Sequence, residues 1–266
     1  MMELLQYEFM RNALLAGLLA SVACGIIGTY VVVKRIVMLS GGISHAAYGG
    51  IGLGYYLGIN PVVGAIGFSL GMAMGMGWLS RRRPLRTDTI IGIMWAMGMA
   101  LGVILIELSP GYSADLMGYL FGSILAVSPQ DIIIMAVLDG IIMGTVLLLY
   151  KELLALSFDE EFAAVVGVPV EGIYFLLLAL IALTVVMLMK VVGLILVIAL
   201  LSIPASISSL FTSSMKRMIS LSILLGMVFT TGGLLISFFL DLPAGATIIL
   251  VAGGAFLITH FLLRGS

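Results

Sequence analysis

Few of the 266 residues can do polar chemistry: two histidines, one cysteine, 13 acids and 12 lysines or arginines. His45 is the first candidate. A neutral imidazole is the commonest protein ligand for metals such as zinc, iron and nickel. On a helix His45 shares a face with Gly49, Gly52 and Tyr56, so it projects over backbone and leaves room for a path. The alternative is a packed histidine bonded to a neighbouring carbonyl. Asp139 is the second candidate. It falls near the middle of an apolar stretch, where a charge costs about 2.5–3.5 kcal/mol on insertion scales. It is either a cation or proton site, or a protonated carboxyl bonded to nearby backbone. Glu107 and Lys190 lie near outer helix ends and pair or snorkel to the interface, Glu107 alternatively lining the outer mouth. Asp115, Asp131 and Asp241 read as loop charges that attract cations or are simply solvated. Cys24 reads as packing and His260 as an interfacial polar tip. The 18 methionines read as flexible filler, because Met72, Met74 and Met76 face different sides of one helix. There is no paired-histidine zinc motif, no G-x-S-x-G and no G-x-x-x-x-G-K-[ST]. The chain is therefore expected to be neither an intramembrane enzyme nor an ATP-binding subunit of the P-loop kind.

The elements holding these residues must lie in lipid. The chain is 62% apolar and 9% charged, with mean hydropathy +1.28. A soluble domain carries about 25% charged residues, and this one cannot cover itself in water. A soluble enzyme, a nucleic-acid binder and a disordered chain are excluded. The net charge of −1 points to no charged partner, and one cysteine permits no intrachain disulfide. Apolar runs of spanning length fall at roughly 12–33, 43–58, 61–80, 89–108, 131–150, 170–189, 192–211, 217–239 and 245–263. The expected fold is an all-α polytopic membrane protein with about nine transmembrane helices, eight or ten being the bounds. The stretch 116–127 is too short to span and reads as a re-entrant or surface helix. Residues 1–266 form a single transmembrane domain on this reading. The N-terminus does not resemble a cleaved signal peptide, since Glu3 and Glu8 replace a basic start.

Lys34, Arg35, Arg81, Arg82, Arg83, Arg86, Lys151, Lys216, Arg217 and Arg264 all fall on one side if the N-terminus is outside and the C-terminus cytoplasmic. The arginines around Arg81 read as this topology signal. Gly50, Gly54 and Gly58, with Ala46, recur every fourth residue, as do Gly67, Gly71 and Gly75, and Gly98 and Gly102 follow. Such spacing lets helix backbones approach closely, giving a compact, glycine-packed bundle.

One soluble stretch stands out, Ser157 to Pro169. Ser157 and Glu160 have capping-box spacing. Asp159, Glu160 and Glu161 place negative charge at the start of a helix, and Gly167 and Pro169 mark its stop. Phe158, Phe162 and Val165 share a face. Interfacial helices carry lysine and arginine, whereas this one is acidic. A short helix docked in a groove of another protein fits better than a connector resting on lipid.

The chain resembles the membrane subunit of the ABC importers for divalent metals, the zinc, manganese and iron permeases. The resemblance rests on VVVKR after the first span, LSGGISHAAYGGIGLGYYLG from Leu39, YLFGSILAVSPQD from Tyr119, SFDEEFAAVVGVP from Ser157 and VVGLILVIALLSIPAS from Val191. It implies a cell-membrane homodimer with a pore at its interface, a cytoplasmic ATPase and an extracellular metal-binding protein. The metal is then the substrate, and no cofactor is bound permanently. The resemblance also implies that the helix at about 157–169 is the coupling helix on the ATPase, and it favours His45 as a path residue. Family members carry an aspartate one turn before this histidine, where this chain has Gly41. Asp139 would be the substitute. The alternatives are an ABC permease for a chelate or vitamin, or a self-sufficient secondary transporter using Asp139 as a relay, with a helix broken at Ser202–Pro204.

Overall fold

The computed structural model describes residues 6–82, 87–109 and 122–264, without the side chains of Lys190 and Arg264. Asp115, Arg83 and Arg86 lie outside the described residues. Every regular element among the described residues is helical. Hydrocarbon offers no partner to the backbone, and a helix satisfies its own N–H and C=O groups.

The helices are α1 (Glu8–Val33), α2 (Val37–Leu57), α3 (Pro61–Arg82), α4 (Thr87–Glu107), α5 (Pro129–Leu148), α6 (Tyr150–Phe158), α7 (Glu160–Val165), α8 (Val170–Met189), α9 (Val191–Phe211), α10 (Met215–Leu240) and α11 (Ala244–Arg264). Eight of them are long and apolar enough to cross a membrane, namely α1, α3, α4, α5, α8, α9, α10 and α11. Helix α2 is also long, at 21 residues, but six glycines, three tyrosines, Ser40, Ser44 and His45 dilute its hydropathy. The nine expected stretches are thus nine long helices. The short second one begins earlier than its apolar run, at Val37.

These elements form two compact units. The first contains α1, α5, α9, α10 and α11. Helix α1 lies against α10: Gly17 faces Thr230, Gly226 faces Ser21, and a Cβ at Gly25 would sit 2.7 Å from the backbone nitrogen of Ile223. A Cβ on Gly28 would collide with the Leu201 carbonyl of α9. Hydroxyls line these seams. Ser21 lies 3.3 Å from Thr230, Thr29 lies 3.3 Å from Ser222, and Ser222 donates to Ser208 at 3.0 Å. Most of these hydroxyls also donate to a carbonyl one turn back, as Thr29 does to Gly25, so they are satisfied within their own helices. Within α5 the buried residues Met135, Asp139, Ile142 and Val146 lie along one face, and α5 packs on α1.

Three expectations change in this unit. The run 170–211 does not break at Ser202–Pro204. It is helical through Pro204, and the kink falls at Gly193, with φ 79° and ψ 159°. The backbone of Gly122, at φ 67°, abuts Val192 and Gly193, so neither glycine tolerates a side chain. The part of 116–127 that is described holds only a 3₁₀ turn, Ile124–Ala126. Asp131 is a helix cap rather than a loop charge: Ser128 and Asp131 form a capping box at the start of α5.

The second unit contains α2, α3, α4, α6, α7 and α8. Here α2 is packed backbone to backbone on both sides. Gly50 and Gly54 face α3 at Ala65 and Pro61, whereas Gly49 and Gly52 face α4 at Gly98 and Gly102. Not every expected glycine does this. Gly58 instead ends α2 in the left-handed region at φ 67°, and Gly67 and Gly71 meet no described atom within 4 Å of a built Cβ. Gly75 touches only the end of Met94, at 3.2 Å. The spacing is regular, but only those of these glycines with a backbone opposite them, on α2 and α4, form a seam.

Candidate metal path and docking helix

His45 sits mid-way along α2, half-buried, in the second unit. Its ring lies flat on the indole of Trp95 from α4, with centroids 4.1 Å apart and planes at 12°. The Trp95 Nε1–H donates to the sulfur of Met99, 3.0 Å away and one turn on. The stack forms because Gly98 seats directly on Ala46, at 2.8 Å from a built Cβ to the Ala46 Cα. The room expected beside His45 is therefore not open on that side, since Gly49 and Gly52 admit α4. The Nδ1 atom of His45 is buried and has no hydrogen-bond partner, so the packed histidine bonded to a carbonyl is not what is found at that nitrogen. Gly41, one turn earlier, is buried and brings no ligand.

Asp139 lies in the first unit, 5% exposed on α5. Neither carboxylate oxygen has a hydrogen-bond partner. Burial without a partner is costly for any polar group and most of all for a carboxylate. Glu107 is the last residue of α4 and is exposed. His260 stacks on Phe256 at 5.9 Å, and Cys24 is buried. Among the described residues no group of three or more His, Cys, Asp or Glu side chains is placed to hold a metal.

The segment 157–169 holds a short helix, α7, but its cap differs from the expected one. Ser157 belongs to the end of α6, is buried, and donates to the Leu153 carbonyl at 2.7 Å. Asp159 is the N-cap instead, accepting from the Phe162 N–H at 2.9 Å. Two residues of capping chemistry stood two positions apart, and the buried one faces back along its own helix. The C-terminus closes as expected. Gly167 adopts φ 85°, its N–H donates to Ala164, and the Val168 N–H donates to Ala163. This is the paired bonding of a glycine-terminated helix, and Pro169 follows. Only Ala163 of α7 is buried. Phe158, Phe162 and Val165 are 61%, 59% and 85% exposed, an apolar surface next to the exposed Glu161.

Three neighbours of these sites carry no signal in the sequence beyond their spacing. Trp95 and Met99 stand one turn apart on α4. Arg81, read as a topology signal, pairs with Glu160 and lies 4.3 Å from the ring centroid of Tyr174.

Among the described residues every regular element is helical and eight helices are long and apolar enough to span, which, with an unpartnered imidazole nitrogen in a glycine-packed helix and an exposed capped helix, defines a multi-span membrane protein. Residues 6–263 match the ABC 3 transport family, and the chain is a member of it. An uncharacterized membrane protein of Synechocystis is 54% identical over 259 residues, covering 97% of this chain and 92% of its own. The manganese transport system membrane protein MntC of Listeria monocytogenes is 34% identical, covering 94% and 89%. Among solved structures, PsaBC from Streptococcus pneumoniae, in complex with Fab, matches with a TM-score of 0.87 at 35% identity, covering 96% of this chain and 92% of that one. The chain is thus a membrane permease and not itself an enzyme.

Proposed function

We propose that this chain is the permease subunit of an ATP-driven importer for a divalent metal ion, with manganese, zinc and iron as the cargo class. The observation that carries the reading is similarity along nearly the whole chain to a manganese transport membrane protein, joined to a buried imidazole nitrogen with no protein partner. His45 is the path ligand. Among the described residues one chain gathers too few ligands for a metal, and on the homodimer reading that the family resemblance suggests, each of two copies supplies one His45. Asp139 serves the passage of the cation in place of the absent carboxylate at Gly41, and Glu107 lies at the outer mouth. ATP is hydrolysed by a separate cytoplasmic subunit, which docks on α7 through Phe158, Phe162 and Val165, and an extracellular protein delivers the metal. The N-terminus is outside and the C-terminus cytoplasmic. The 266 residues act as one permease domain.

The test is uptake of Mn, Zn, Fe and Co by vesicles carrying the chain with its ATPase and binding-protein partners. Uptake should require ATP and fail in His45→Ala. Uptake that proceeds without the ATPase would support a secondary transporter instead.

A further inference from the structure

The last turn of α3 carries two arginines that behave differently. Arg82 folds back over Trp78 of its own helix, 5.2 Å from the ring centroid. Arg81 leaves its helix. Its guanidinium pairs with Glu160, the first residue of α7, and at the same time covers the ring of Tyr174 near the start of α8. One turn earlier on α3, Gly77 lets α8 close in, with Tyr174 and Phe175 carbons 3.3 and 3.2 Å from a built Cβ. Three helix ends therefore meet at one side chain.

Helix α7 is six residues long and buries only Ala163. Besides its backbone connections to α6 and α8, a short helix with one buried residue passes a displacement to the rest of the unit through its side-chain ties. The ion pair is part-exposed, at 28% for Arg81 and 40% for Glu160, so it adds little stability. Its value is geometric. A planar guanidinium that pairs with a carboxylate and stacks on a ring fixes position and orientation together. Beyond Arg81, α3 continues to the seam where Gly64 and Ala65 abut Gly50 of α2, and α2 carries His45. Because close-packed backbones transmit strain rather than absorb it, a contiguous rigid route runs from α7 through Arg81 and α3 to α2.

We infer that Arg81 is the positioning residue that transmits movement of the docking helix to the helix bearing His45, so that ATP hydrolysis is tied to metal movement. This rests on the reading of α7 as the ATPase-docking helix.

The test uses the full complex of permease, ATPase and binding protein in proteoliposomes, reading ATP hydrolysed per metal ion moved. Arg81→Ala should leave the ATPase bound to the permease yet raise that ratio by about tenfold. Arg81→Lys, which keeps the charge but loses the planar fork, should restore only a small part of the coupling. Tyr174→Leu should raise the ratio to a lesser degree, and Arg81→Ala combined with Glu160→Ala should be no worse than Arg81→Ala alone. A wild-type ratio in Arg81→Ala would overturn the inference. So would loss of bound ATPase in Arg81→Ala, because Arg81 would then only hold α7 folded. Phe162→Glu separates the two readings. If the ATPase stays bound and metal-responsive in Phe162→Glu, the docking reading fails regardless of the Arg81 result.

Discussion

At the scale of single residues, the two groups that carry the functional reading are both buried and underused by the protein. His45 offers Nδ1 to nothing within the described residues, and Asp139 offers two oxygens to nothing. Groups in this state lower stability, and within a membrane they mark function by default. Asp139→Asn keeps the size and removes the ionisable group. It is expected to slow metal uptake strongly while leaving the melting temperature in detergent unchanged or higher. A lower melting temperature with normal uptake would mark Asp139 as structural. Trp95 is the support behind the imidazole. Loss of such supporting groups typically costs about 10–100-fold in metal affinity or activity. Trp95→Leu should therefore reduce uptake by about tenfold while the protein stays folded, as judged by thermal unfolding. His45 and Asp139 could be found in the sequence because a polar residue in an apolar run is conspicuous. Trp95 could not, since nothing in the sequence of α4 indicates which ring will meet it.

At the scale of elements, the helices were legible because hydrophobic length and glycine spacing report directly on lipid and close packing. The finer boundaries were not. Proline is the usual sign of a break, yet α9 continues through Pro204 and kinks at Gly193, where two left-handed glycines meet and the conformation rather than a missing N–H decides. Gly50 and Gly67 stand at equivalent places in two regular patterns, and only Gly50 has a backbone against it. Overpacking typically costs about 1–3 kcal/mol. Gly50→Ala should destabilise the protein by that order, while Gly67→Ala should not, measured by thermal unfolding in one detergent. The docking helix gives a second contrast. Asp159 accepts from Phe162 N–H, so Asp159→Ala removes the cap and costs about 1 kcal/mol of α7 stability. It should weaken ATPase binding, and Asp159→Asn should preserve it. Ser157→Ala, which touches only the Leu153 carbonyl, should leave ATPase binding as it is.

At the scale of the whole molecule, the chain belongs to the ABC 3 transport family, its sequence holds no G-x-x-x-x-G-K-[ST] motif, and the proposed energy source is a separate ATPase. The class was legible from composition, since a chain 62% apolar and 9% charged has only lipid to face. The division into two units was not legible. Each unit gathers segments far apart in sequence, and local periodicity carries no record of such pairing. The most direct test of the central claim is ATP-dependent uptake of manganese, zinc and iron into proteoliposomes holding the purified permease–ATPase complex, with wild type and His45→Ala compared side by side. Accumulation of at least one of these ions by wild type, abolished by omitting ATP and by His45→Ala, is the predicted result. Equal accumulation by His45→Ala, or none of these ions moved by an active wild-type complex, would contradict a metal path through His45.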